Sequence, residues 1–206
     1  MTPGGPDKDR GSTLPLYIWV TGILLFAALA FFAFAQAASA RNGAQTAADA
    51  AALAAAQESR DELLEGLVDA IEAGEGDEWL DWLDGIGVTP NSEARAAAEA
   101  LAAENDSGVT GFEPTEVNGY PGYWAEATTN YTVGDSIIPG TETKHAKAEA
   151  TAVIKPRCKP AESADPEKAV EFTCDGSEEP IEIDPDDFEL GDLPDAADLF
   201  AVHLAD

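Results

Sequence analysis

LPLYIWVTGILLFAALAFFAFAQAASARNGAQTAADAAAL, residues 14–53, decides how the rest of the chain is read. No Asp, Glu, Lys or Arg occurs from Gly11 through Ala40, and the apolar core from Leu16 to Ala35 matches the roughly 20 residues that cross a bilayer as a helix. Lipid offers no partner for a bare amide, so a segment that lies in it must satisfy its backbone by helical hydrogen bonds. Pro15 falls in the first turn, where a missing N–H costs nothing, and Tyr17 and Trp19 fall where interfacial aromatics are favoured. Beyond Arg41 the alanine-rich run has no Pro and a single Gly, so the sequence predicts that the helix continues out of lipid.

Small residues recur there at four-residue spacing. Gly43, Ala47, Ala51 and Ala55 form one row, and Ala44, Ala48, Ala52 and Ala56 form another. Such faces admit close approach of another helix backbone, which points to helix packing and to self-association through the N-terminal helix. Further on, Leu63, Leu64, Leu67, Val68 and Ile71 lie at helical spacing against Asp61, Glu62, Glu65, Asp69 and Glu72, so this part is expected to pack on its own globular domain.

The chain carries 40 acidic and 11 basic residues, a formal charge of −29, with nearly all the acid after Arg41. A phosphate backbone would be repelled, which excludes nucleic acid as a partner. The few cations orient the span. Lys8 and Arg10 precede it and Arg41 alone follows it, so residues 1–13 are assigned to the cytoplasm and the remainder to the outside, a single-pass protein of the cell membrane. A competing reading treats Ala38-Ser39-Ala40 as a signal-peptidase site, which would release a soluble acidic binding protein beginning at Arg41. The apolar stretch is longer than a usual signal core of about 7–15 residues, and retention is the preferred reading.

The remaining organisation follows from punctuation and period. Residues 14–40 are read as the transmembrane helix, 41–73 as an extracytoplasmic helical spine, 74–176 as an α+β domain, and 177–206 as an acidic, partly disordered tail. Gly74-Glu75-Gly76 ends the spine, Asp77 to Leu83 reads as a short amphipathic helix bringing Trp79 and Trp82 to the core, and Asn91 to Asn105 reads as a helix with Ser92 as its cap. Strands are predicted at 123–133, 147–154 and 169–174, giving an antiparallel sheet of about three strands. In the tail, residues 195–204 could add a turn or two of helix. The expected fold class is therefore α+β.

Cys158 and Cys174 both lie on the outer side, where an even pair reads as a disulfide joining the ends of the second and third strands; two free thiols are the alternative. No second Cys or His pair accompanies them, so the metal reading is poor. His145 and His203 are the only histidines, and there is no G-x-S-x-G, P-loop or dinucleotide glycine motif, so neither an enzyme nor a cofactor is expected. Asp184, Asp186, Asp187, Glu189 and Asp192 lack the spacing of a calcium loop and read as a solvated charge run.

Gly11-Ser12-Thr13 ahead of the span, and the string Gln45-Thr46-Ala47-Ala48-Asp49-Ala50-Ala51-Ala52-Leu53-Ala54 after it, resemble the N-terminal region of Tad-type (Flp, type IVc) pilus assembly proteins of the TadE/TadG-like group. The resemblance covers about a quarter of the chain. It implies a pilin-like extracytoplasmic domain on a membrane helix, working beside other pilus or secretion-system subunits and without catalysis of its own. Prepilins of this type are cut after a Gly, with Glu and Tyr at the fifth and sixth places beyond it. Gly11 and Tyr17 keep that spacing but Leu16 stands at the Glu position, so an unprocessed anchor is expected.

Overall fold

The computed structural model describes residues 13–74, 78–86, 92–134, 140, 142–161, 164–166, 168–176 and 180–205. The cytoplasmic assignment of residues 1–12 therefore lies outside the described residues.

Helix α1, Thr13–Ala73, is a single helix of 61 residues, about 90 Å long at the α-helical rise. It ends where the sequence changes: Gly74 adopts φ +67 and donates its N–H to the Ile71 carbonyl at 3.1 Å, a glycine C-cap. Helix α2, Glu78–Leu83, buries Trp79 and Leu83. Its other indole, Trp82, lies over Gly66 of α1 so closely that a Cβ there would overlap the ring. Helix α3, Ser92–Glu104, includes Ser92 as its first residue rather than as its cap and buries Ala94, Ala98 and Ala102 along one side.

Two antiparallel sheets follow. The larger contains β1 (Ser107–Val117), β2 (Tyr120–Thr132), β3 (His145–Pro156) and, at its far edge, the C-terminal strand β7 (Phe200–Leu204), in the order β1-β2-β3-β7. The smaller contains β4 (Cys158–Pro160), β5 (Val170–Cys174) and β6 (Ile181–Ile183). All three expected strands are present as β2, β3 and β5, but β5 belongs to the smaller sheet. The acidic tail completes both: Ile183 pairs with Val170, and β7, Phe200–Leu204, pairs with β3 after the one-turn helix α4, Ala196–Leu199. The helix expected across 195–204 is thus confined to its first half, because Phe200 and Val202 find an open stretch of β3 to pair with.

β1 was not expected from the sequence. It is joined to β2 by Asn118 (φ 55) and Gly119 (φ 85), a two-residue turn of the type that Asn-Gly favours. Gly122 of β2 faces Val153 at a point where a Cβ would overlap the Ala152 carbonyl, so the two backbones can meet only if this residue has no side chain.

The larger sheet lies on α1 and α3, making two layers. Alternation along β2 turns Tyr123, Ala125, Ala127 and Thr129 inward, and β3 turns Ala150, Ala152 and Ile154 the same way. The core tapers. Ala47 and Ala48 meet Ala127 nearest the span, whereas Leu63, Leu67, Ile71, Trp79, Ile154, Phe172, Leu199 and Phe200 fill the end away from it. At mid-height the Ser59 hydroxyl and the Tyr123 hydroxyl share a hydrogen bond of 2.7 Å, both side chains buried.

Burial is the main cause that raises the Tyr123 phenol above its ordinary value, assisted by the carboxylate of Glu62 and opposed by the Ser59 bond. The folded state therefore holds this proton more tightly than the unfolded chain. The associated stability is complete below the ordinary phenol value near 10.0 and is lost as pH rises beyond it. Alkaline unfolding of the wild type should show a loss above that pH that Tyr123→Phe lacks, and the variant should be less stable at neutral pH by about 1 kcal/mol because the Ser59 hydroxyl loses its partner. Circular dichroism at a series of pH values, compared between the two proteins, checks both.

Candidate membrane anchor and helix seam

The N-terminal half of α1 presents large apolar side chains to its surroundings on every side. Tyr17, Trp19, Phe31 and Phe34 are exposed to between 71% and 77%, and within the most apolar 18-residue window only 6% is buried. A core helix of a soluble domain would have most of that window covered. In water such a surface would be severely unfavourable, whereas a helix that is apolar all round is at home in lipid. Gly22 interrupts this surface with a concavity of about 430 Å³ walled by Ile18, Trp19, Ile23 and Phe26.

The second half reverses the pattern. Ala44, Ala47, Ala48, Ala51, Ala52, Ala55 and Ala56 are all fully buried at 0% exposure, and Gly43 lies under Tyr131, whose hydroxyl would overlap a Cβ at that position. Both small-residue rows are therefore used, but for packing inside the chain. The partner helix is α3, with its own alanine row at 94, 98 and 102, and the other partner is the alanine-lined inner face of β2 and β3. A second chain cannot reach these faces while the domain is folded. A single sequence shows that a face is smooth without showing what covers it, and the signal that could have done so was the matching alanine spacing in Ala94, Ala98 and Ala102.

Cys158 and Cys174 form a disulfide across the β4–β5 pair, at the core end away from the span, exposed by only 0% and 6%. Arg157 beside it donates to the carbonyls of Ala197 at 3.0 Å and Asp175 at 2.5 Å, tying the tail to the turn after β5.

Near the span a polar cleft of about 470 Å³ is lined by Arg41, Gln45, Glu126, Lys147 and Glu149. Gln45 donates to the Glu149 carbonyl at 3.3 Å, and Lys147 pairs with Glu126 at 2.9 Å. The Thr110 hydroxyl first, then Lys147, hold the Glu126 carboxyl below its ordinary value. Glu126, Lys147, Thr110, Gln45 and the Glu149 carbonyl thus satisfy one another across the surface. His145 donates from Nδ1 to the Thr129 carbonyl at 2.7 Å, and His203 is exposed on β7. The acidic run is used locally: Asp184 accepts from the Asp186 N–H at 3.1 Å, and Asp192 accepts from the Glu189 N–H at 2.9 Å. Among the described residues, no group of three His, Cys, Asp or Glu is placed to hold a metal ion.

An exposed apolar helix, long and apolar enough to span a membrane, continues without a break into an alanine seam buried in the domain. Residues 11–58 match the family described as "Putative Flp pilus-assembly TadE/G-like". The matched segment takes in the whole apolar span and the seam rows from Gly43 to Ala56, and it agrees with the resemblance carried by the string from Gln45 to Ala54. Residues 59–206 lie outside the match. Neither a curated protein nor a solved structure matches the chain.

The seam has no room for larger side chains. Ala51→Leu should destabilise the domain by about 1–3 kcal/mol through overpacking, whereas Ala38→Leu, on the exposed face of the same helix, should leave thermal unfolding unchanged. Melting of the two variants in detergent micelles checks the contrast.

Proposed function

We propose that this chain is a membrane-anchored, pilin-like structural component of a Tad-type pilus or secretion system. Residues 14–40 hold it in the cell membrane, residues 1–13 face the cytoplasm, and the domain stands on the extracytoplasmic side. It acts by helix packing and by contacts with other pilus or secretion subunits, and no residue of it performs catalysis. The observation that carries this reading is the helix that leaves its lipid-facing half bare and buries its other half in alanine, within the segment that matches the pilus-assembly family.

Self-association through the N-terminal helix belongs to the lipid-embedded half in this reading. The rows at 43–56 are filled by α3 and the sheet, while the concavity at Gly22 has no occupant among the described residues. The second reading, a soluble protein released after Ala40, rests on Ala38-Ser39-Ala40. Against it, those three residues lie within the unbroken helix α1 and Ala40 itself is buried to 3% exposure.

Fractionation of cells expressing the chain separates the two. The protein is expected in the membrane pellet, resistant to alkaline carbonate and extracted by detergent, with an intact mass that includes residues 14–40. A soluble form whose N-terminus is Arg41 would overturn the anchor.

A further inference from the structure

We propose that the end of the sheet carrying Val133, Gly134 and Lys144 rests in the lipid headgroup layer, so that the domain sits flush on the bilayer with no exposed stalk of α1 between them. The inference depends on the membrane anchoring proposed above and adds where the domain lies relative to the bilayer.

Four observations place it there. Gly134 lies beside Gln36, with the Gln36 amide nitrogen 3.7 Å from where a Gly134 Cβ would stand. Gln36 is the first residue after the apolar core that ends at Ala35. Burial begins below it: Ala33, inside the apolar stretch, is only 8% exposed while its neighbours Phe32 and Phe34 are 59% and 71% exposed. One face of the last apolar turn is thus covered where the others are bare. Val133 donates its N–H to the Lys144 carbonyl at 2.9 Å, which brings the start of β3 to the same height as Gly134.

The helix cannot slide to lift the domain clear. From Thr13 to Ala35 it is about 35 Å long, and a hydrocarbon layer takes up about 30 Å of that. Tilting shortens its projection further. Moving the domain outward by one headgroup layer would draw Ser12 and Arg10 toward hydrocarbon, where an arginine is strongly disfavoured. Hydrophobic matching therefore fixes Gln36, and with it Gly134, at the boundary.

The charges at this end fit that placement. Arg41 and Lys144 are exposed, and neither has an ion-pair partner among the described residues. Lys147 lines the same cleft as Arg41 and is paired with Glu126. Glu142, the nearest described carboxylate along the chain, accepts from the Gly140 N–H at 2.8 Å. Arg41, Lys144 and Lys147 balance Glu126, Glu142 and Glu149 here, so among the described residues this end is close to neutral, in a chain whose net charge of −29 is otherwise set against an anionic surface. The span supplies the attachment, so these side chains need only accommodate the headgroups.

Depth measurement by nitroxide labelling tests the proposal on the full chain, disulfide intact, in vesicles of phosphatidylethanolamine and phosphatidylglycerol. Single labels go at Phe26→Cys in the span, Glu65→Cys far along α1, and Thr143→Cys in the exposed turn before Lys144. Collision rates with oxygen and with a water-soluble nickel chelate give the depth of each. The Phe26 label should be deep in hydrocarbon, the Glu65 label in bulk water, and the Thr143 label in the headgroup layer, with nickel accessibility several-fold below that at Glu65. A Thr143 label as nickel-accessible as Glu65, with Phe26 still deep, overturns flush docking and leaves the anchor standing. A Phe26 label in water overturns the anchor itself.

Discussion

The structure depends on one helix that stays unbroken while its surface changes from bare and apolar, as lipid would require, to buried in protein core. Each environment imposes its own condition on α1. Lipid requires that every backbone group be bonded internally and that the surface be apolar all round. The sheet and α3 require instead that the helix be narrow enough for their backbones to approach, and alanine meets that condition without giving up helix propensity. The boundary between the two regimes is short. Phe34 is still 71% exposed, and Ala40 is already buried to 3%.

That arrangement gives the domain its shape and couples it to the anchor. Alanine against alanine near the apolar half of α1, and Leu, Ile, Trp and Phe at the other end, make a core that widens away from that half. The disulfide and the Arg157 bonds lie in the wide part, where the tail strands must be held. Along α1, Pro15 lies in the first turn, and Gly43, the one glycine between the span and the wide core, is braced by Tyr131. No described feature provides a hinge, so a displacement of the membrane helix moves the whole domain. For a subunit that works by contact with neighbours in a pilus machine, as proposed, such stiffness lets events in the membrane reach the extracytoplasmic surface.

How much could be read in the sequence differed with the strength of the local constraint. α1 was legible because lipid permits one answer for an apolar run of that length, and because alanine carries the helix on. β2 and β3 were legible from alternation, and the Cys158–Cys174 bridge from the pairing of two outer-side cysteines. β1 was obscured by Gly108, Gly111 and Pro114, although the Asn118-Gly119 turn was a usable hairpin signal. β6 and β7 were hidden in an acidic tail whose apolar residues, Ile183, Leu199 and Phe200, make sense only once a strand edge exists to receive them. The seam was legible as a packing surface, but its occupant depended on tertiary contacts with α3 and the sheet that local pattern does not contain.

Amide hydrogen exchange on the full chain in lipid nanodiscs tests the continuity of α1 most directly. A single helix shared by bilayer and core predicts slow exchange from the span through Ile71, with residues 36–43 as protected as their neighbours on both sides. Fast exchange confined to residues 36–43, between two slow flanks, would show a flexible joint at the membrane surface and would contradict the account.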